Sequence, residues 1–225
     1  MRRVLDLFCC AGGATRGYQL AGFHVTGIDI MPRPNYCGDT FVQADALVFL
    51  KEVIASGDIA QYHLIHASPP CQAACAMTMG TNNSKGWGRD HQQLVPATRE
   101  LLDLAGVPYV IEQPQGHGGL IRTDLRLCMD MFRSGPPPWV QRHRDFELSG
   151  FTVTQPRHRR HEGRVRGMRH GEVFDGPYVA AYGNGGGKAT VAEMQHAMGI
   201  GWTSVREELT EAIPPAYTRF IGRFL

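Results

Sequence analysis

The run Arg3-Val4-Leu5-Asp6-Leu7-Phe8, then Ala11-Gly12-Gly13, then Ala14 to Ala21, reads as an apolar strand, a small-residue turn and a helix. Working outward, His24 to Ile30 is a second strand candidate that carries Asp29 at its end, and Phe41 to Ala44 is a third that precedes Asp45. Strands that alternate with helical stretches at this spacing predict an α/β fold, a doubly wound Rossmann-like sheet. Gln61 to Ala67 adds a buried strand that stops at Ser68-Pro69-Pro70, and Gln92 to Leu104 a helix that leads to a strand over Pro108 to Glu112. In an open parallel sheet the ligand crevice lies beyond the carboxyl ends of the strands, so Cys71 and Glu112 are expected to project from one functional edge.

Further along, residues 113–140 are rich in Gly and Pro and read as irregular. Gln141 to Leu148 reads as a strand that would place Arg142 and Arg144 on one face. Ser149 to Pro177 shows no hydrophobic period, and the sheet is expected to resume at Tyr178 to Tyr182. Thr190 to Met198 and Ser204 to Ala212 read as helices, and Pro214-Pro215 as the opening of a last one through Arg219 to Phe224. Residues 1–148 and 178–225 therefore form one domain, and 149–177 a small basic insert.

At 225 residues and 43% hydrophobic content the chain suits a single buried core. No stretch approaches the roughly 18 apolar residues of a membrane span, and a secretory signal pattern is missing at the N-terminus, so a cytoplasmic monomer without an obligate protein partner is expected. Cysteines at 9, 10, 37, 71, 75 and 128 lack the spacing of a disulfide framework. Cys71 and Cys75 have no second Cys or His pair at ligand spacing, and no metal site is expected from them. His158, His161 and His170 could ligate a metal, although solvated loop histidines are the commoner case. The formal net charge of +2 is uneven: residues 141–170 hold eight Arg against Asp145, Glu147 and Glu162, a net of +5, which leaves −3 for the rest. A basic segment on a mildly acidic body predicts a local contact with a polyanion.

The motifs carry chemistry as well as fold. Gly12, Gly13 and Gly17 allow close approach to the backbone, and Asp29 after the next strand can accept hydrogen bonds from ribose hydroxyls, a pattern that suits a nucleoside cofactor. Pro69-Pro70-Cys71-Gln72 restricts the backbone before a thiol, as a positioned nucleophile requires. Glu112, at the end of Tyr109-Val110-Ile111, is a carboxylate able to hold a proton when withdrawn from water. Together they suit attack on a cytosine: a thiolate adds to carbon 6, N3 is protonated, and carbon 5 becomes nucleophilic enough to take a methyl group.

In this order, Asp6-Leu7-Phe8 with Gly12-Gly13, Pro69-Pro70-Cys71-Gln72, Glu112, and Gln141-Arg142-His143-Arg144 resemble the motifs of DNA (cytosine-5) methyltransferases. Thr190-Val191-Ala192-Glu193 through Gly199 and Ala212-Ile213-Pro214-Pro215 resemble that family's last two motifs, and the short enzymes carried by phages and prophages are the most similar. The resemblance implies S-adenosylmethionine as methyl donor, held by Asp6, Phe8, Gly12, Gly13, Asp29, Ile30, Asp45 and Pro70. It implies Cys71 as nucleophile, Glu112 at the N3 edge, and Arg142 and Arg144 orienting the base. The partner implied is double-stranded DNA, contacted by Gln72 and by Arg157, Arg159, Arg160, Arg164, Arg166 and Arg169, with the cytosine flipped out of the stack.

Six positions depart from the family pattern: Cys10 at a usual glycine, Gln113-Pro114 after the glutamate, Cys75 at a usual serine, and Thr210-Glu211 before the final motif. The insert is also far smaller than a usual target-recognition domain. Alternatives are the same chemistry on transfer RNA, a catalytically silent DNA-binding relative, and a nicotinamide-dependent oxidoreductase; the last leaves Pro-Pro-Cys-Gln unexplained.

Overall fold

Val4, Leu5 and Leu7 are fully buried because β1 (Arg3–Leu7) runs through the middle of a sheet covered on both faces. The structure, a computed structural model, describes residues 1–70, 93–169, 171–182 and 189–225. With β2 (His24–Asp29), β3 (Thr40–Gln43), β4 (Leu64–Ala67), β5 (Tyr109–Pro114), β6 (Leu125–Leu127) and β7 (Arg144–Ser149), the sheet has the order β3-β2-β1-β4-β5-β7-β6. β1 to β5 pair in parallel, and β7 lies antiparallel between β5 and β6. The order reverses between β1 and β4, the switch point where an α/β sheet opens a crevice.

Side-chain alternation sends Val4 and Val110 to one face and Leu5, Leu7, Ile65 and Ile111 to the other. The first face packs on α1 (Gly13–Leu20), with Tyr18 and Tyr217 at the centre of its core. The second packs on α2 (Ala46–Ser56) and α3 (Val95–Ala105). α4 (Val191–Met198), α5 (Arg206–Glu211) and α6 (Pro215–Ile221) complete the chain, and α6 lies along α1. Thr190 caps α4 in a reciprocal capping box with Glu193, as the Thr-x-x-Glu spacing predicts.

Four expectations need correction. Leu125-Arg126-Leu127 forms an edge strand inside the stretch read as irregular; Leu125 and Leu127 are buried while Arg126 points away. Tyr178 to Tyr182 does not rejoin the sheet. Tyr178 makes only isolated bridges to Trp139 and Val165, and Val179 and Ala181 pack in a third apolar cluster with Met194 and Leu209. The strand over 141–148 begins at Arg144, since Arg142 is left-handed at φ 46° and cannot share its face. The insert also holds a hairpin, β8 (Gly167–Arg169) and β9 (Glu172–Phe174), which form a separate two-stranded sheet.

Buried acids on β7 change the charge reading too. Asp145 pairs with Arg126 at 2.6 Å and His117 at 3.3 Å, and Glu147 pairs with Arg99 at 2.8 Å and Arg122 at 3.2 Å. These two carboxylates serve the body and do not neutralise the arginines of the insert. Among the described residues, no helix is long and apolar enough to cross a membrane.

Candidate active site

Among the described residues, three that are not glycine have a positive φ: Phe8 at 62°, Cys10 at 48° and Arg142 at 46°. Phe8 and Cys10 stand in the turn at the carboxyl end of β1, and Arg142 two residues before β7. Such conformations cost on the order of 1–3 kcal/mol each and cluster where a site must be held in one shape. Cys10 therefore occupies, under strain, a conformation that glycine adopts freely.

The turn is held by Asp29. Its Oδ2 accepts from the Cys10 amide at 2.9 Å and faces Arg33 Nε at 3.1 Å, while Oδ1 accepts from the Met31 amide at 2.9 Å. Ile30, which follows, is 63% exposed, and Phe8 is half-buried. Asp45 is exposed after β3, where its Oδ1 caps α2 by accepting from Leu47 and Val48 at 2.9 Å each. Trp202 donates its indole N–H to the Ala11 carbonyl at 2.8 Å, which lays the C-terminal segment against the turn.

Gly12, at φ 88°, needs to be glycine for its backbone. Gly13 and Gly17 have a different reason. A Cβ at Gly13 would collide with the Ile213 carbonyl, and one at Gly17 with Thr218 and the Pro215 carbonyl, so the missing side chains make room for the C-terminal segment. Asp6 is likewise not at an open crevice. It is fully buried beneath α1, where Thr15 donates to its Oδ2, and burial pushes its carboxyl up to about 7.

β5 carries the second half of the site. Glu112 lies opposite Phe146 on β7, and Arg144 opposite Pro114, which makes Glu112 and Arg144 diagonal neighbours on one face. Arg144 Nε stands 2.7 Å from Glu112 Oε1, yet out of line for a hydrogen bond, so this oxygen has no aligned donor. Glu112 is 5% exposed. Burial raises its pKa against the pull of Arg144 and Arg142, which favours a proton on the carboxyl. The next residue, Gln113, donates Nε2–H to the Pro69 carbonyl at 2.7 Å and so ties β5 to Pro69-Pro70. Pro69 is buried and Pro70 exposed. Cys71 and Gln72 lie outside the described residues, as does Trp87.

Arg142 is also tied to the C-terminal segment. Its guanidinium donates to the carbonyls of Ala181, Thr210 and Ala212 at 2.6–2.9 Å, and Tyr217 donates to its own carbonyl at 2.6 Å. It staples the approach to β7 onto the C-terminal segment. Of the basic residues, Arg157, Arg159, Arg160 and Arg164 are exposed. Arg166 is committed to Glu193 of α4 in an ion pair, and Arg169 ends β8, its side chain outside the described residues. A cleft of about 380 Å³ runs beside the insert between Gln141, Arg164, Val165 and Phe174, and not at Glu112. His158 and His161 are not free loop residues: they stack with His143 and approach Cys128, a grouping signalled in sequence only by the His158-x-x-His161 spacing.

No protein-family model and no curated protein matches the chain. Among solved structures, the methyltransferase EhMeth of Entamoeba histolytica aligns with all of this chain and 97% of its own, at a TM-score of 0.57 and 11% identity. An E. coli prophage-encoded chain named as a DNA modification methyltransferase aligns at a TM-score of 0.45 and 21% identity, over 65% of this chain and 45% of that one. The S. pombe Dnmt2 methyltransferase aligns at 0.42 and 20%, over 66% and 48%. The chain thus matches less than half the length of the latter two. The E. histolytica likeness is one of fold: a mostly parallel α/β sheet between helices.

Proposed function

We propose that this chain transfers a methyl group from S-adenosylmethionine to carbon 5 of cytosine in DNA, through a covalent adduct with Cys71. The observation that carries the reading is the Gln113 to Pro69 hydrogen bond, which links the strand of a buried Glu112, its pKa raised by burial, to the two prolines that precede the cysteine.

The strand ends suit the cofactor. Ile30 and Phe8 offer apolar surface to an adenine ring, with Asp45 beside it. Asp29 accepts two amide hydrogens and faces Arg33, which leaves part of the roughly four lone-pair sites of a carboxylate for ribose hydroxyls. Gly12 gives the turn its left-handed backbone, and Pro70 follows the carboxyl end of β4. When bound, S-adenosylmethionine supplies a methyl group activated on a sulfonium. The protein's part is the activation of cytosine: Cys71, as thiolate, bonds to carbon 6, and Glu112 gives its proton to N3. Arg144 limits the cost of the carboxylate that remains. Loss of the carbon 5 proton to water then expels Cys71 as a thiolate, and the N3 proton returns to Glu112. Exposed Arg157, Arg159, Arg160 and Arg164 would hold phosphates.

The test is transfer of label from S-adenosylmethionine to duplex DNA and, side by side, to transfer RNA. Label at carbon 5 of cytosine in DNA is the expected result. Label confined to RNA would replace the substrate, and cofactor binding without transfer to either would leave a DNA-binding relative.

A further inference from the structure

Cys128, His143, His158 and His161 each offer one ligand atom, and the four atoms lie within 4.8 Å of one another. Cys128 follows β6 and His143 precedes β7. These strands pair Leu127 with Arg144, so two of the four residues stand side by side at one end of the sheet. His158 and His161 come from the insert, three positions apart. Over residues 150–164 the insert forms no helix or strand, and Val153 is its contribution to the buried core.

Two of the six spacings match the edges of a tetrahedral centre, and all six are within 4.8 Å. Zn–N bonds of about 2.05 Å and a Zn–S bond of about 2.3 Å at tetrahedral angles set N···N edges near ~3.35 Å and S···N edges near ~3.55 Å. His143 Nε2 is 3.3 Å from His158 Nε2, and Cys128 Sγ is 3.5 Å from His161 Nε2. Hydrogen bonds between neutral side chains would account for either pair alone, but not for four ligand atoms gathered about one point. A thiol and three imidazoles without a carboxylate favour zinc over magnesium or calcium, and four protein ligands leave no open position, as in structural sites.

We propose that Cys128, His143, His158 and His161 form a structural zinc site that clamps the insert onto the ends of β6 and β7. The Cys128 thiol now donates to the Gln141 carbonyl at 3.0 Å. Binding replaces its S–H bond with an S–Zn bond and releases one proton to solvent, while the three imidazoles bind neutral. Arg157, Arg159 and Arg160 alternate with the two insert ligands, so the metal would also fix the frame that presents these cations. The proposal does not depend on the methyltransferase reading.

The test is metal analysis of the tag-free, full-length protein purified from zinc-supplemented medium. About one zinc per chain is expected, falling below about 0.1 in His158→Ala/His161→Ala and unchanged in the control His63→Ala. Because both replaced histidines are in the insert, far-ultraviolet circular dichroism should show the sheet and helices intact in the double variant. Cobalt(II) titration supplies an independent reading: tetrahedral visible bands and a thiolate charge-transfer band in the wild type, the latter lost in Cys128→Ser. A wild-type chain that takes up neither zinc nor cobalt(II) would overturn the proposal. So would zinc that persists in the double variant.

Discussion

The sheet and its insert are held together by different forces. In the sheet, apolar side chains alternate between two cores, and strand pairing satisfies the backbone. Among the described residues of the insert Val153 is buried in the core and Phe151 packs against it, while further contacts with the body are polar: Arg133 with Glu162, Arg166 with Glu193, and the imidazoles around Cys128. Each task therefore has its own place in the molecule. Chemistry that needs a raised carboxyl pKa requires the dry edge of the sheet, whereas phosphate contacts require exposed cations that an uncored segment can carry.

Removing the proton from the dry edge should have the largest effect. Glu112→Gln should lower methyl transfer at saturating DNA by about 10²–10⁴-fold, with DNA affinity nearly unchanged. Quench-flow transfer rates and fluorescence anisotropy separate the two. An equal loss of binding would mean that Glu112 belongs to the DNA contact, and the division between sheet and insert would fail there.

Asp6 tests the burial side by stability. Its carboxyl is raised from 3.8 to about 7 in the folded chain, so the native state holds a proton that the unfolded chain has released across this range. Stability contributed by that proton is present at low pH and falls away as pH rises through about 7. Between pH 5 and 8 the wild type should lose on the order of 2–3 kcal/mol more than Asp6→Asn, read by urea unfolding. Parallel pH profiles would place the group in a wetter setting than the structure gives it.

A smaller effect comes from the insert. Arg157→Ala/Arg159→Ala/Arg160→Ala should leave folding and the saturated transfer rate intact while DNA affinity falls. The slope of log affinity against log salt should shrink by about 2.7, roughly 0.9 for each phosphate that the variant can no longer neutralise. An unchanged slope would remove these cations from the interface.

Much of the sheet is legible because burial writes a period into sequence: β1, its turn and α1, the strand before Glu112 and the helix that follows Thr190 stand where the pattern predicts. The misses share a cause. β6 is three residues in a Gly- and Pro-rich stretch, too short to show alternation. Tyr178 to Tyr182 is apolar enough for a strand, but its neighbours are helical side chains, which only the tertiary arrangement reveals. Placing Arg142 on the face of Arg144 assumes regular strand geometry through a residue that turns left-handed. Gly13 and Gly17 fit a cofactor turn by position, and their missing side chains also make room for the link into α6 and for α6 itself, some 200 residues further on. The Cys128 cluster draws ligands from three separate segments and leaves a single local trace.

Everything proposed for the dry edge turns on a bond between Cys71 and the cytosine ring, and it can be read from the intact mass of protein mixed with S-adenosylmethionine and duplex DNA containing 5-fluorocytosine. Fluorine at carbon 5 cannot leave as a proton does, so a stable species with the mass of protein, one DNA strand and one methyl group is predicted. Peptide mapping should place the bond on Cys71, and Cys71→Ala should form none. Methyl transfer to ordinary DNA with no trapped adduct, or an adduct on a different residue, would contradict it.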